Sequence, residues 1–230
     1  VIRRNATKLK TQMLKVKTNV VIIFFLVFLL SMAFGCARTV TQVLDFGTQM
    51  GVSVKFREKI DVTNNRYFMV LSTSESFSIA LPPPDSMDEF LEPGDLPQTG
   101  SIADYYTDYY STWSGYIVVD ETGYYINKGP FFIGDSTTRE VLSTLPELTD
   151  TISFNFRLSQ IFGSTIPDTI YFDIICANYP NGAEKFLKDH IAPPVRTISK
   201  VSGSLASGSV AENTVLSGSQ DIINWAVEVQ

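Results

Sequence analysis

From residue 51 onward, apolar and polar residues repeatedly alternate one by one. Across Gly51–Val62, Val52, Val54, Phe56, Ile60 and Val62 share one parity, while Ser53, Lys55, Arg57, Lys59 and Asp61 take the other. A half-buried strand has this period of two, and a helix does not. The same alternation runs through Phe77–Leu81, through Ile152–Ser159 and through Ile223–Val229, where Ile223, Trp225, Val227 and Val229 share one side. Tyr67–Leu71 and Ile170–Ala177 are apolar at nearly every position, the pattern of strands covered on both faces in the middle of a sheet.

Turn residues punctuate these runs. Asp120-Glu121-Thr122-Gly123 between Tyr116–Val119 and Tyr124–Asn127 predicts a hairpin, and Thr63-Asn64-Asn65 predicts a second one ahead of Arg66. Ala183–His190 is the one helix predicted after the leader, stopped by Pro193-Pro194. Ser-Gly-Ser recurs at 202–204, 207–209 and 217–219 among aliphatic residues. That mixture favours tight turns between edge strands over a free linker. Nine or ten short strands joined in this way predict an all-β fold, an antiparallel β-sandwich of jelly-roll or immunoglobulin-like type, in one domain over residues 45–230.

The start of the chain has a different pattern. Residues 1–35 carry six Lys/Arg and no acid, and Val20–Phe34 is apolar except for Ser31. A basic stretch, a short apolar helix and a small residue before a cut describe a secretory signal, with Met13 as an alternative start. The apolar run is about fifteen residues, short of the roughly 20 that span hydrocarbon. Ala33-Phe34-Gly35-Cys36 resembles a bacterial lipobox. The resemblance implies a signal over 1–35, fatty acylation (palmitate-type chains and diacylglycerol) at Cys36, and a tether over 36–44. Ala37 is not the Asp tied to inner-membrane retention, which implies the outer membrane or cell surface. An uncleaved short signal anchor is the alternative, and both place residues 37–230 outside the cytoplasmic membrane.

Charge sharpens this picture. Six of the 18 Lys/Arg precede Cys36, leaving 12 against 24 Asp/Glu and a net charge near −12. Nucleic acid is excluded as a partner, since it needs a basic footprint. Docking on anionic lipid by charge alone is excluded too. With Cys36 acylated, Cys176 is the single remaining thiol and forms no intrachain disulfide. Its apolar neighbours predict a small core residue.

Arg66-Tyr-Phe-Met-Val-Leu-Ser-Thr73, Thr151–Ser159, Ile166–Ile175 and Lys188-Asp-His190 resemble strands of carbohydrate-binding-module-like sandwiches. The resemblance implies the sandwich and no particular binding residue. The densest aromatic stretch, Asp104–Tyr116, holds Tyr105, Tyr106, Tyr109, Tyr110 and Trp113. Exposed rings stack on sugars, and hydroxyls beside aspartates bond sugar hydroxyls, so these five are the candidate ligand-binding residues. The competing reading is that the same rings close one end of the core.

The acidic Pro82–Gly100 insertion, with Asp85, Asp88, Glu89, Glu92 and Asp95, offers oxygen ligands to calcium, or is simply solvated. No other cofactor is expected. His190 is the only histidine, and no Gly-x-Ser-x-Gly or phosphate-binding glycine loop occurs. The expectation is a non-enzymatic, envelope-anchored binding module for a glycan. The alternatives are an assembly component that docks another envelope protein through an edge strand such as Ile223–Val229, and a carboxylate-based hydrolase.

Overall fold

A computed structural model describes residues 48–79, 89–98, 100–135, 138–191 and 196–230. The signal, Cys36 and the tether lie outside the described residues, as do Asp85, Asp88 and Pro193-Pro194. The described chain is an all-β antiparallel sandwich. Its strands are β1 (Gln49–Phe56), β2 (Asn65–Ser72), β3 (Gly115–Asp120), β4 (Gly123–Lys128), β5 (Glu140–Ser143), β6 (Thr151–Arg157), β7 (Thr169–Asn178), β8 (Phe186–His190), β9 (Arg196–Ser199), β10 (Leu205–Ser209) and β11 (Ile222–Val229). One sheet runs β10-β11-β1-β6. The other runs β5-β4-β3-β2-β7-β8, with β9 pairing the first half of β7. Among the described residues, no helix is long and apolar enough to cross a membrane.

The inward parity of each strand builds the core between the sheets. Val52, Val54 and Phe56 of β1, with Trp225, Val227 and Val229 of β11, face Met69, Leu71, Ile117, Phe172 and Ile174 of the larger sheet. A void bounded by Val54, Phe56 and Met69 measures about 10 Å³. That is at the limit for one water, so the space between the sheets is filled by side chains.

The larger sheet is apolar on its outer face as well. Phe68, Val70, Tyr116, Val118, Ile175 and Ala177 meet a second core supplied by the segment from Phe77 to Trp113. This is why β2 and β7 read as apolar throughout. The described parts of the connection between β2 and β3, Phe77, Phe90–Leu91 and Tyr105–Trp113, form a covering layer.

Several expectations change. Thr63–Asn65 does not make a hairpin, because β1 and β2 belong to different sheets. Asp61 turns the chain there by accepting the backbone N–H groups of Thr63 and Asn64. Ala183–His190 is not a helix, since Phe186–His190 is β8 and pairs with β7. The apolar edge of β7 outweighs a weak local helix preference. Phe77–Ile79 forms no strand, and Phe77 serves the second core. Ile223–Val229 is not an edge, since β11 lies between β10 and β1, and β10 is the edge. A register shift at Lys55/Phe56 also puts Ile222, not Ile223, inward.

Candidate functional site

The aromatic stretch is helical but not uniformly so. A short α1 (Ile102–Asp104) opens into a π-helical turn, Tyr105–Tyr109, and a 3₁₀ turn, Tyr110–Thr112. The N–H of Tyr110 bonds the carbonyls of both Tyr105 and Tyr106. The wider π turn lets two tyrosine pairs point toward the sheet, where α-helical spacing would give them separate faces.

All five rings are buried: Tyr105 at 1%, Tyr106 and Tyr109 at 8%, Tyr110 at 3% and Trp113 at 4% exposure. They pack edge to face, with Tyr106–Tyr110 at 4.9 Å and Tyr110–Trp113 at 5.0 Å between centroids. Their polar ends serve the fold. Tyr105 donates to Glu89 O, Tyr110 to Leu91 O, and the Trp113 indole to Ser78 O, each at 2.8 Å. Burial pushes the Tyr110 phenol well above its usual range. An exposed stacking platform is therefore corrected to a second core, because an apolar sheet face needed covering. Of the five, Tyr106 reaches a surface pocket.

Glu89 and Glu92, among the described acidic residues of the insertion, likewise turn inward. Glu89 accepts the N–H groups of Gln98 and Lys185. Glu92 is 2% exposed, and its Oε2 accepts Arg66 Nη1 at 2.6 Å and Arg139 Nη2 at 2.7 Å. Its Oε1 accepts the Tyr116 hydroxyl at 2.9 Å. Burial raises the Glu92 carboxyl above its ordinary value, while the two guanidiniums and Tyr116 pull it back. Arg139 also donates to Asp120 at 2.8 Å. Burial works against that carboxylate, but bonds from Thr122 and Arg139 hold it below its usual range. Asp95 faces Lys185 and Tyr179. These carboxylates are neutralised by internal cations and donors, the reverse of a calcium cage. Among the described residues no three His, Cys, Asp or Glu are placed to hold a metal. The cleft of about 170 Å³ beside Arg66 and Arg139 is walled by this ionic staple.

His190 finds its aspartate on a different strand. Its Nδ1 lies 3.0 Å from Asp173 Oδ2 on β7, while Asp189 accepts the backbone N–H groups of His190 and Ile222. Cys176 is wholly buried, and burial pushes its thiol far up.

A pocket of about 200 Å³ opens where β4 leaves the sheet. Tyr106, Asn127, Phe131, Phe132, Asp135 and Thr138 are among the residues that line it. Tyr124 and Ile126 of β4 point between the sheets, so Tyr125 and Asn127 face outward. Phe132 is 59% exposed and Ile133 55%, in a turn whose Phe131 is anchored in the second core. Asn127 is 1% exposed, yet its Oδ1 and Nδ2 have no hydrogen-bond partner. An unpaired buried amide is unusual and costs roughly 1–3 kcal/mol per group.

Sequence reasoning passed over this pocket. Its signal was Gly129-Pro-Phe-Phe-Ile-Gly134, three bulky apolar residues between turn residues, directly after the strand that carries Asn127. Comparison with protein-family models, with curated proteins and with solved structures finds no match.

Proposed function

We propose that this chain is a non-enzymatic cell-envelope lipoprotein, anchored through Cys36, whose sandwich displays a glycan-binding module. The basic leader, the apolar run and Gly35-Cys36 support the anchor. The observation that carries the binding reading is the pocket at the end of β4. An exposed ring, Phe132, stands beside a small set of polar groups, Asn127, Asp135 and Thr138. Binding sites combine apolar area with a few placed polar groups in this way. A partner for the unpaired Asn127 amide would offset a cost that the fold alone leaves standing.

Two experiments test the two halves. Cys36→Ala should abolish labelling by a fatty-acid analogue, and undiminished labelling would remove the anchor. A glycan array probed with the full chain should give saturable binding, and a blank array at millimolar sugar would remove the glycan reading.

Assembly with another envelope protein is the second reading. β10 leaves one edge of the smaller sheet unpaired, and its Leu205 is 65% exposed. An open edge is a template for an added strand. Pull-down from envelope extract with a Pro substitution in β10 as control checks it.

A further inference from the structure

Resting on the glycan reading, we infer that the pocket at Asn127 takes one neutral pyranose unit, gripped through a vicinal pair of free hydroxyls, with Phe132 as the stacking surface.

The size argues for one ring. At about 200 Å³ the pocket is below the roughly 300–1,000 Å³ of sites for drug-sized ligands. The charge argues against an anionic ligand. Asp135 lines the pocket, whereas Lys128 shares the inward parity of Ile126 and its ammonium lies beside Gly163, away from the Asn127 side chain. The buried amide argues for the diol. Asn127 offers one acceptor, Oδ1, and one donor, Nδ2, side by side, and neither is used within the protein. A ligand that answers both must carry a donor and an acceptor on neighbouring atoms of one edge. Adjacent sugar hydroxyls do, because each hydroxyl both donates and accepts. A secondary amide does not, since its trans N–H and C=O point in opposite directions.

The surroundings suit the same ligand. Phe132 presents an apolar face of the kind that the C–H side of a pyranose covers. The Asp135 carboxylate and the Thr138 hydroxyl can bond hydroxyls further round the ring. Both Asn127 amide atoms are enclosed, so a sugar reaches them only by displacing part of the pocket lining, in which Phe132 is the exposed ring.

The test titrates the full chain with methyl glucoside, galactoside and mannoside, and with their O-methylated counterparts, by calorimetry or ligand-observed NMR. Asn127→Leu and Phe132→Ala are the variants. At least one free glycoside should bind. Its affinity should fall about tenfold or more in each variant and in the ether that blocks the diol.

Asn127→Leu should melt no lower than the wild type, because it removes two unpaired polar atoms; that separates lost binding from lost folding. Wild-type affinity in both variants, or equal binding of the methyl ethers, would overturn the inference while the glycan reading stands. Asn127-dependent binding of free uracil or adenine, with no sugar bound, would replace the diol by a base edge. A chain that binds no sugar in this panel or on an array would take the glycan reading down as well.

Discussion

Asp173 and His190 form a hydrogen-bonded link across β7 and β8, ionic when the imidazole is protonated, with Oδ2 3.0 Å from Nδ1 and the carboxylate wholly buried. The other carboxylate oxygen accepts the N–H of Ile174 at 2.7 Å and of Ile191 at 3.2 Å. Asp173 therefore fixes the end of β8 as well as the imidazole. The bond from Asp173 raises the His190 pKa above its usual value of about 6.5, against burial, which lowers it.

A group whose pKa rises on folding adds stability below its unfolded value and loses it as pH climbs through the folded one. The melting temperature should therefore drop as pH is raised from 6 toward 8.5, and His190→Gln should flatten that slope. Because His190 is the only histidine, a single NMR resonance reports its titration. In Asp173→Asn that resonance should titrate at lower pH. An unmoved midpoint would show that the pair does not couple.

Gly208 of β10 lies on the Trp225 indole. A Cβ there would stand 2.9 Å from two of its ring atoms. Trp225 is itself packed against Phe172 and cannot retreat freely. Gly208→Ala should cost roughly 1–3 kcal/mol in urea denaturation, the usual range for overpacking. Ser207→Ala, one residue earlier and without that contact, should be close to neutral.

The sandwich was legible in the sequence because its smaller sheet has one face in the core and one in water. Val52, Val54 and Phe56 and their polar neighbours follow from that geometry alone. The continuous runs in β2 and β7 correctly implied cover on both faces, but nothing local says what the cover is. The cover is Tyr105, Tyr110 and Trp113, whose sequence pattern is the same whether rings face solvent or a sheet. Exposure depends on long-range packing, and periodicity carries no sign for it. Glu92 was misread for the same reason. A carboxylate in an acidic loop looks solvated until Arg66 and Arg139, from other parts of the chain, are brought to it. Asn127 could not be found from sequence, because being unpaired is a property of the whole neighbourhood.

The buried aromatic layer predicts a stability phenotype. Tyr110→Ala and Trp113→Ala should each cost roughly 3–5 kcal/mol, the range for emptying a packed aromatic site. Tyr110→Phe should cost only about 1 kcal/mol, for the bond to Leu91 O. Chemical denaturation monitored by tryptophan fluorescence checks the series. Melts within a degree of wild type for both alanine variants would mean that the rings do not hold the cover to the sheet.

The ionic staple should be asymmetric. Arg66 and Arg139 keep 24% and 30% of their side chains exposed, whereas Glu92 keeps 3%. Losing Glu92 leaves two guanidiniums that reach water and still face Asp95 and Asp120. Losing both arginines strands a carboxylate in the second core. Breaking a buried pair from the side that leaves a charge behind costs roughly 3–5 kcal/mol. Arg66→Met with Arg139→Met should therefore destabilise by about that much at neutral pH, and Glu92→Met by distinctly less. Acid should partly rescue the double variant. Without its cations the Glu92 pKa rises further, and protonation then removes the stranded charge as pH falls through that raised value. Urea denaturation at pH 7 and pH 5 tests both statements. Equal losses for the two variants, or no gain for the double variant at pH 5, would mean that Glu92 is less enclosed than the packing of Tyr116 and Tyr179 around it requires.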